Sequence, residues 1–562
     1  RAPAWSGRHK SGGSTRQSLI ERTHGPAGAI LVCCIFKAMY HHSWHSPDAR
    51  RRGVTRWATT FIAALTAACM AQMPAQASPH TSDAAPHIAT SKTITDAGPI
   101  GQSGRWYTDG QGRAILTAGV NMVSKRHPYS PEADGFDDAD AAWLQKNGFD
   151  SVRLGVIWKG VEPKPGEYDD AYLASITRTV RTLRAHGIMT LLDAHQDMYN
   201  EKFEGEGAPD WAVLDKGAPN LLKVGFPANQ VFNLGLIKAY DSFLDNAKGP
   251  GGVGLQDRYA AMWKHVAQVV GQEPGVMGYD IINEPWPGHH YPICYVAFGW
   301  CGRAMVSLDT LYEKVGRAIT SVDPDGIVTY EPYSTWNMGL DSRPARPSSP
   351  KAAISWHVYC PMNAIFGSYV GCNLPDTRTF HNADQAAQFN NSASLLSEFG
   401  ATKDPGTLMG VTSKARAHLV GWLYWTYNGN SDPTTQNAAD EELVRHINRP
   451  GPVTDEQVDH TKLAILAVPH LRAAAGTPTS TTWDQSTRTY QATWTAKRVA
   501  GDGDFAAGSV SEIAVPAIHY PNGYKVEVKG AKVISKAGDT RLQVSSTGEG
   551  PVSVTITPAG QA

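Results

Sequence analysis

The chain has 562 residues, 41% of them hydrophobic and 18% charged, a composition typical of a globular protein with two or three domains. Its formal net charge is -1, but residues 1–77 hold ten Lys and Arg against two Asp and Glu, which leaves 41 basic and 50 acidic residues in the rest of the chain. An acidic body argues against nucleic acid or an anionic membrane as an electrostatic partner.

The N-terminal region has the pattern of an exported protein. The run Arg50-Arg51-Arg52 precedes an apolar segment over residues 57–73, and Ala75-Gln76-Ala77 follows it. This order predicts a secretory signal peptide that is cut after Ala77, so we expect a secreted, extracellular protein. Lipid anchoring at the cell surface through Cys69 is the alternative, although Thr66-Ala67-Ala68 before it matches a lipoprotein box poorly.

Residues 1–77 are therefore assigned to a leader. Within it, residues 1–38 precede the first methionine, Met39, and are expected to lie upstream of the true start. Residues 78–100 are rich in Ser, Thr, Pro and Ala without apolar periodicity, which predicts a linker.

Four cysteines remain after the leader: Cys294, Cys301, Cys360 and Cys372. An even number in an oxidising compartment indicates disulfides, and the spacings favour the local bridges Cys294–Cys301 and Cys360–Cys372 among the three possible pairings. No CxxC spacing occurs among them, so we expect no metal site.

Short apolar segments alternate with longer amphipathic ones from Arg105 onward. The predicted strands cover residues 114–123, 150–158, 188–195, 276–284, 326–333, 353–359, 394–399 and 421–427. Helical patterns lie between most of them, for example over residues 171–186, 255–270 and 306–322. Eight strands with crossover helices predict an α/β fold, a (β/α)8 TIM barrel, over residues 101–472.

The sequence pattern changes after Leu471. Period-two patterns such as YKVEVKG and VSVTIT are separated by Gly, Asp and Asn turns. They predict a C-terminal antiparallel β-sandwich over residues 473–562, which contains no candidate catalytic cluster.

Two glutamates follow apolar strands at the end where a parallel barrel carries its chemistry. In YDIINEPW (279–286) the strand stops at Asn283-Glu284-Pro285, because proline cannot continue a sheet ladder. In SLLSEFGA (394–401) a second strand delivers Glu398. A lone loop glutamate is more often solvated surface, but two carboxylates presented in this way are the requirement for glycoside hydrolysis.

Further polar and aromatic groups are predicted at the same end of the barrel. These are His195 and Asp197 in DAHQD, His357 and Tyr359 in HVY, and Trp425 on the last strand. Arg153 lies inside the second strand, where a buried charge needs a partner, and a carboxylate nucleophile would serve. Each has a structural explanation alone, but the set together favours a catalytic cleft.

These motifs resemble the retaining glycoside hydrolases of family 5, and more closely its endoglycoceramidases, through DAHQDMYNEKFEGEGAPDWAV, GVNMVSKRHPY and AGTPTS. The resemblance covers residues 100–560. It implies hydrolysis of the bond between oligosaccharide and ceramide in glycosphingolipids, with Glu284 as acid/base and Glu398 as nucleophile. It also implies that sugar-binding groups near the cleaved bond are Lys125, His195, Asp197, Asn283, His357, Tyr359 and Trp425.

Three further expectations complete the hypothesis. His357 and Tyr359 are expected to hydrogen-bond Glu398 and hold it anionic. An apolar groove for ceramide is expected from the loops after strands four, six and eight, with Trp286, Ile293, Val296, Phe298, Ile365 and Phe366 as its candidates. We expect a monomer without cofactor, in possible peripheral contact with a membrane or micelle. Alternatives are a family 5 endoglucanase or mannanase on soluble β-glycans and, less favoured, a non-catalytic glycan- or membrane-binding protein.

Overall fold

The computed structural model describes residues 94–96, 98–429, 432–434, 438–445, 450–548 and 550–560. The predicted leader, residues 1–77, and the linker up to residue 93 lie outside the described residues. No helix within the described ranges is long and apolar enough to cross a membrane.

Eight parallel strands close into a barrel, which confirms the predicted fold class. In barrel order they are β4 (Ala118–Met122), β5 (Ser151–Gly155), β6 (Met189–Asp193), β7 (Val276–Asp280), β8 (Val328–Tyr330), β9 (Ala352–Val358), β10 (Ala393–Phe399) and β11 (Gly421–Tyr424). The barrel closes where β11 pairs with β4, in the register Trp422 to Ala118. Each observed strand lies within one of the eight predicted segments or overlaps it by most of its length.

Helices return the chain between the strands and cover the barrel. They are α1 (Asp138–Lys146), α2 (Trp158–Val161), α3 (Asp170–Ala185), α4 (Ala228–Phe232), α5 (Leu234–Leu244), α6 (Leu255–Val269), α7 (Tyr291–Val296), α8 (Arg303–Thr320), α9 (Pro361–Phe366), α10 (Asn373–Asn390), α11 (Pro405–Ala417), α12 (Ala438–Glu441) and α13 (His460–Leu466).

The burial pattern explains why these segments form these elements. Every residue of β9 and β10 is buried, as expected for strands covered on both faces. Helix α8 instead buries Leu308, Leu311, Val315 and Ile319, at the spacing of three and four residues that places side chains on one face. The same face of the helix packs against the barrel and leaves its charged residues to solvent.

Two antiparallel sheets form the C-terminal region. The larger has the order β1 (Gly101–Ser103), β2 (Trp106–Thr108), β3 (Ala114–Ile115), β12 (His470–Ala474), β15 (Val510–Ala514), β18 (Arg541–Ser546) and β17 (Ala531–Val533). The smaller has the order β13 (Thr477–Asp484), β14 (Thr489–Thr495), β19 (Val552–Pro558) and β16 (Tyr524–Lys529). Leu471, Trp494, Ile513 and Val554 share one core between the two sheets.

The boundary between the domains differs from the sequence-based assignment. Residues 101–115 were assigned to the barrel, but their strands β1 to β3 belong to the larger C-terminal sheet, where β3 pairs with β12. The predicted first barrel strand, 114–123, is therefore divided at Leu116 and Thr117 between two sheets. A period-two pattern shows that a segment is a strand, but not which strand it pairs with.

Buried ion pairs join the barrel to the larger sheet. The Asp150 carboxylate, beside the start of β5, lies 3.1 Å from both His470 and Arg472 of β12. Burial would raise the pKa of Asp150, but the hydrogen bond and charge of His470 and the charge of Arg472 lower it. Within the larger sheet, Glu512 of β15 also pairs with Arg113, 3.0 Å away in the loop before β3. The two domains therefore share a bonded interface.

Candidate active site

The C-terminal ends of the barrel strands bring the predicted polar groups together. Arg153 lies in β5, His195 two residues after β6, His357 in β9 and Glu398 in β10. Glu284 lies four residues after β7. Parallel strands end at one edge of the barrel, so residues far apart in sequence meet there.

The two glutamates share one imidazole. His357 Nδ1 lies 2.9 Å from Glu284 Oε1 and 3.4 Å from Glu398 Oε2. A carboxylate oxygen of Glu284 lies within 4.8 Å of one of Glu398. Their exposed fractions are 7% and 4%, so both are nearly enclosed. Two carboxyl groups about 5–5.5 Å apart are the arrangement of retaining glycosidases, because a larger gap is needed when water attacks directly.

Glu398 receives two further hydrogen bonds. The Tyr359 hydroxyl donates to Oε2 at 3.0 Å, and Arg153 donates to Oε1 at 2.5 Å. Burial raises the pKa of Glu398, and the charges of His357 and Arg153 oppose that rise. The expected partners His357 and Tyr359 both reach Glu398, but His357 lies nearer to Glu284.

Arg153 is the centre of a buried charge cluster. A single carboxylate partner was expected, yet its guanidinium pairs with Asp193, Asp280 and Glu331 at 2.8–2.9 Å in addition to Glu398. Its side chain is fully buried, so these carboxylates replace the hydration that it loses.

Asn283 is held by protein groups on both sides of its amide. Its Oδ1 accepts from Arg153 at 3.0 Å, and its Nδ2 donates to the Gln196 carbonyl at 3.1 Å. The side chain is therefore oriented at the cleft end of β7, where the resemblance places a sugar contact.

A second cluster surrounds Lys125, which is buried while its neighbour Arg126 is exposed. Lys125 Nζ lies 2.6 Å from Asp197 and 2.7 Å from Asp432. Burial would lower the pKa of Lys125, but the charges of Asp197 and Asp432 raise it. The sequence analysis missed Asp432 because it lies in an irregular loop after the last strand.

Trp425 forms one wall of this cluster. Its ring stacks on His195 with centroids 5.2 Å apart, and Lys125 Nζ lies 4.6 Å from its centroid. The indole donates to Glu441 at 2.8 Å, which orients the ring. Trp422, in β11 just before Trp425, instead packs edge-on against Phe399.

His195 is oriented by Asp193, whose carboxylate lies 2.7 Å from Nδ1. Burial lowers the pKa of His195, but the neighbouring Asp193 and Asp197 outweigh it and raise the pKa to about 10. Glu206 lies in the same cluster, and burial together with the Asp197 charge raises its pKa.

Two groups of side chains have the donor types of a metal site: His195, Asp197 and Glu206, and Glu284, His357 and Glu398. In the first, the Lys125 ammonium already pairs with Asp197, and a second cation would be repelled. In the second, His357 bridges the two carboxylates. Neither group favours a metal ion.

The loops bordering this end of the barrel carry exposed apolar side chains. Val296 is 77% exposed and Phe298 81%, both in or beside the loop closed by the Cys294–Cys301 disulfide. Phe366, 60% exposed, lies in the loop closed by Cys360–Cys372. Both predicted disulfides are therefore present.

Four further exposed residues belong to this apolar rim, which we define as Tyr295, Val296, Phe298, Trp300, Phe366, Val370 and Leu374. Ile293 and Ile365, predicted for the groove, are partly buried. Trp286, also predicted for the groove, is 5% exposed and its ring stacks on Tyr291, so it is not one of the exposed rim residues.

The sequence analysis also missed Glu331, which follows β8 directly. Its Oε2 accepts the backbone N–H of Glu284 at 2.9 Å, and its Oε1 lies 2.8 Å from Arg153. A signal was present in GIVTYEPY, where a strand ends in Glu-Pro as it does at Glu284-Pro285. The loop residue Asn337, which donates to Glu284 Oε1 at 2.5 Å, had no such signal.

A parallel barrel with two close carboxylates at its C-terminal end defines a retaining-type glycoside hydrolase. The profile of Cellulase (glycosyl hydrolase family 5) matches residues 109–431, and that of the glycoside hydrolase family 5 C-terminal domain matches residues 469–557. The chain belongs to glycoside hydrolase family 5.

Relatives within that family share most of the chain. Endoglycoceramidase I of Rhodococcus hoagii is 30% identical over 474 residues, which are 82% of this chain and 88% of the relative. Endoglycoceramidase of Hydra vulgaris is 27% identical and covers 75% of this chain and 81% of its own.

Solved structures agree with the sequence relatives. Endo-glycoceramidase II from Rhodococcus sp., in complex with ganglioside GM3, superposes with a TM-score of 0.66 at 25% identity. The match covers 81% of this chain and 99% of that one. The same enzyme as a lactosyl-enzyme intermediate gives a TM-score of 0.63 at 26% identity, with 82% and 100% covered.

Proposed function

We propose that this protein is an endoglycoceramidase that hydrolyses the β-linkage between oligosaccharide and ceramide in glycosphingolipids, with retention at the anomeric carbon. The observation that carries the proposal is the pair Glu284 and Glu398, joined through His357, beside an apolar rim. A polar sugar site next to exposed apolar loops fits an amphiphilic substrate. Similarity to endoglycoceramidases over most of the chain supports the same substrate class.

The contacts support different roles for the two glutamates. Glu398, fixed by Arg153 and Tyr359, attacks the anomeric carbon and forms a glycosyl ester. Glu284 accepts hydrogen bonds from Asn337 and His357 on Oε1, so its transferable proton is expected on Oε2. It protonates the departing ceramide oxygen and then takes a proton from the water that hydrolyses the ester.

The sugar next to the cleaved bond is held by the surrounding polar groups. His195 Nε2 has no hydrogen-bond partner among the described residues, although Nδ1 is fixed by Asp193. A sugar hydroxyl would satisfy this buried nitrogen. Trp425 provides an aromatic face in the same cleft, and beside it lies the Asp197 carboxylate, an acceptor held in place by Lys125.

The apolar rim is proposed to contact the lipid surface that holds the ceramide. All of its residues except Leu374, which follows Cys372, lie in the two disulfide-closed segments after β7 and β9. Large exposed apolar patches on a soluble protein commonly mark such contacts. The acidic body argues that this contact is apolar and not electrostatic.

Export of the protein is part of the proposal. Disulfides persist in oxidising compartments, and two are present here. N-terminal sequencing of protein recovered from the medium should begin at Ser78. Because the described catalytic groups all come from one chain, we propose that the monomer is active, which light scattering with simultaneous assay would test.

The function is tested by incubating purified protein with a panel of glycosphingolipids, an aryl β-lactoside and a soluble cellulosic polymer. We expect intact oligosaccharide and intact ceramide, separated by thin-layer chromatography. Cleavage of the polymer without release of ceramide would instead identify an endoglucanase. Turnover of none of these substrates would leave a binding protein as the function.

The lipid contact has its own test. The double variant Phe298→Ser/Trp300→Ser should lose activity on glycosphingolipid in liposomes and keep activity on the soluble aryl lactoside. Phe389→Ser is the matched control, because Phe389 is 84% exposed but lies at the C-terminal end of α10, next to the opposite end of the barrel. Equal losses of liposome activity in both variants would contradict the proposed contact between the apolar rim and the lipid surface.

A further inference from the structure

The backbone of Glu284 has an unusual conformation. Its φ is 39°, in the left-handed region that side-chain-bearing residues rarely adopt. A residue is held there only when its surroundings determine the conformation. Pro285 follows directly and restricts the backbone further.

Two side chains hold this peptide segment. The N–H of Glu284 donates to Glu331 Oε2 at 2.9 Å. On the other side, Gln196 Nε2 donates to the carbonyl of Glu284 at 3.2 Å and to that of Asn283 at 2.8 Å. The position of the Glu284 carboxyl therefore depends on a second carboxylate, that of Glu331, whose two oxygens both contact protein groups.

Glu331 also faces the positive charges of the site. Its Oε1 lies 2.8 Å from Arg153 and 3.3 Å from His357 Nε2. The other charged or titratable groups around it are Asp280 on β7 and Tyr312 on α8, whose hydroxyl donates to the Glu331 carbonyl. Glu331 is 2% exposed, so water screens these contacts little.

The chain of contacts runs from Glu331 through His357 to both catalytic carboxylates. A negative charge beside Nε2 favours the imidazolium, whose Nδ1–H then donates to Glu284. Burial would lower the pKa of His357, but the charges of Glu331 and Glu398 raise it. Removing the Glu331 charge would weaken that donor.

We propose that Glu331 is a positioning residue that holds the backbone of the acid/base in its left-handed conformation and supplies the counter-charge of His357. The assignment rests on the proposed role of Glu284 as acid/base. It predicts that the loss of kcat/KM on removing Glu331 is larger for a substrate whose leaving group needs a proton than for one whose leaving group does not.

Two substitutions separate the two parts of the role. Glu331→Ala removes both the acceptor for the Glu284 N–H and the charge. Glu331→Gln keeps a carbonyl that can accept that N–H and removes only the charge. Glu162→Gln is the control, because Glu162 is equally buried and its carboxylate oxygens accept from Trp158 and Gly166 and not from Glu284 or His357.

The measurement is kcat/KM on two soluble β-lactosides, one with an alkyl and one with a dinitrophenyl leaving group. Glu331→Ala should lower the alkyl rate by at least about 100-fold, the order of a lost general acid, and the dinitrophenyl rate by less than about 10-fold. Glu331→Gln should recover most of the alkyl rate, with a pH profile displaced from that of the wild type. Thermal unfolding checks that each variant is folded.

Equal losses on both lactosides in Glu331→Ala, or a Glu331→Gln variant with the wild-type pH profile, would overturn the assignment. If Glu331→Ala does not fold, the Gln variant decides by its pH profile alone. A wild-type protein that cleaves neither lactoside, nor any glycosphingolipid, would overturn the proposed function itself and the role of Glu331 with it.

Discussion

A carboxylate oxygen of Glu284 lies within 4.8 Å of a carboxylate oxygen of Glu398. Glu398 is bonded to Arg153 and Tyr359, whereas Glu284 is bonded to Asn337 and, at 2.9 Å, to His357. Two like groups in one cleft therefore have different environments. Differences of this kind allow one carboxyl group to act as nucleophile while the other transfers protons.

Replacing Glu398 by glutamine should abolish turnover. The amide keeps the size of the side chain but cannot form a glycosyl ester, so we expect kcat to fall by about four orders of magnitude or more. Circular dichroism and thermal unfolding should show a folded protein, since Arg153 keeps three other carboxylate partners. Residual activity within about 100-fold of the wild type would exclude Glu398 as nucleophile.

Glu284→Ala should be rescued by azide. With a dinitrophenyl β-lactoside the first step needs no proton, so the glycosyl ester accumulates because water lacks its general base. Azide attacks the ester without a base, and we expect a faster steady-state rate and a β-lactosyl azide, identified by mass spectrometry and NMR. An α-configured azide product would contradict the retaining mechanism. Glu398→Gln is the control, and azide should not restore it.

The acidic side of the pH profile should report the ionisation of Glu398. A nucleophile acts when ionised, so kcat/KM falls as pH drops through its pKa; burial raises that pKa above the ordinary carboxyl value of 4.5. The Glu284 charge contributes to the rise. Glu284→Gln should therefore shift the acidic limb to lower pH, measured with the dinitrophenyl lactoside. No shift, or an upward one, would show that the two carboxyls do not interact.

Local sequence patterns predicted the barrel and its strand ends because parallel strands finish at a common edge. Glu284-Pro285 and Glu398 could be located from single segments for this reason. Contacts between side chains of neighbouring strands could not be predicted from the sequence of a single segment. Glu331 reaches the Glu284 backbone because β8 pairs with β7, with Thr329 beside Asp280, and no pattern within either segment contains that register.

Other differences between the predictions and the structure also arise because local sequence patterns do not contain tertiary contacts. Asp432 lies in irregular backbone after the last barrel strand, and Glu441 ends the four-residue helix α12, which is too short to show a periodic pattern. Trp286 follows Glu284-Pro285 directly, yet its ring is buried against Tyr291. Hydrophobicity alone does not distinguish a rim side chain such as Phe298 from a core side chain.

Reduction of the two disulfides should lower activity before the barrel unfolds. Cys294–Cys301 and Cys360–Cys372 are separated by 7 and 12 residues, and closing such short loops restricts the unfolded chain by only about 2–3 kcal/mol each. The loops carry the apolar rim, so we expect turnover of glycosphingolipid in liposomes to fall first. Peptide mapping without reductant should find both pairs, and a Cys294–Cys372 link would contradict the structure.

The final prediction concerns removal of the C-terminal region. Truncation after Ala475 deletes β13 to β19 but leaves β1, β2, β3 and β12, which would lose the strands on one side and the covering sheet. Leu116 and Leu471 would become exposed, and Arg113 and Arg472 would lose Glu512. We therefore expect insoluble protein, because buried apolar surface and paired charges are exposed together.

The experiment compares residues 78–475 with residues 78–562 for solubility and for turnover of the aryl lactoside. A C-terminal domain tethered without contact would give a different result, since its removal would leave a soluble barrel with normal rates. Glu512 of the deleted part pairs with Arg113 and Arg472, and its strand β15 pairs with β12, which argues against such a tether. A soluble and fully active truncation would show that the barrel does not depend on the larger sheet.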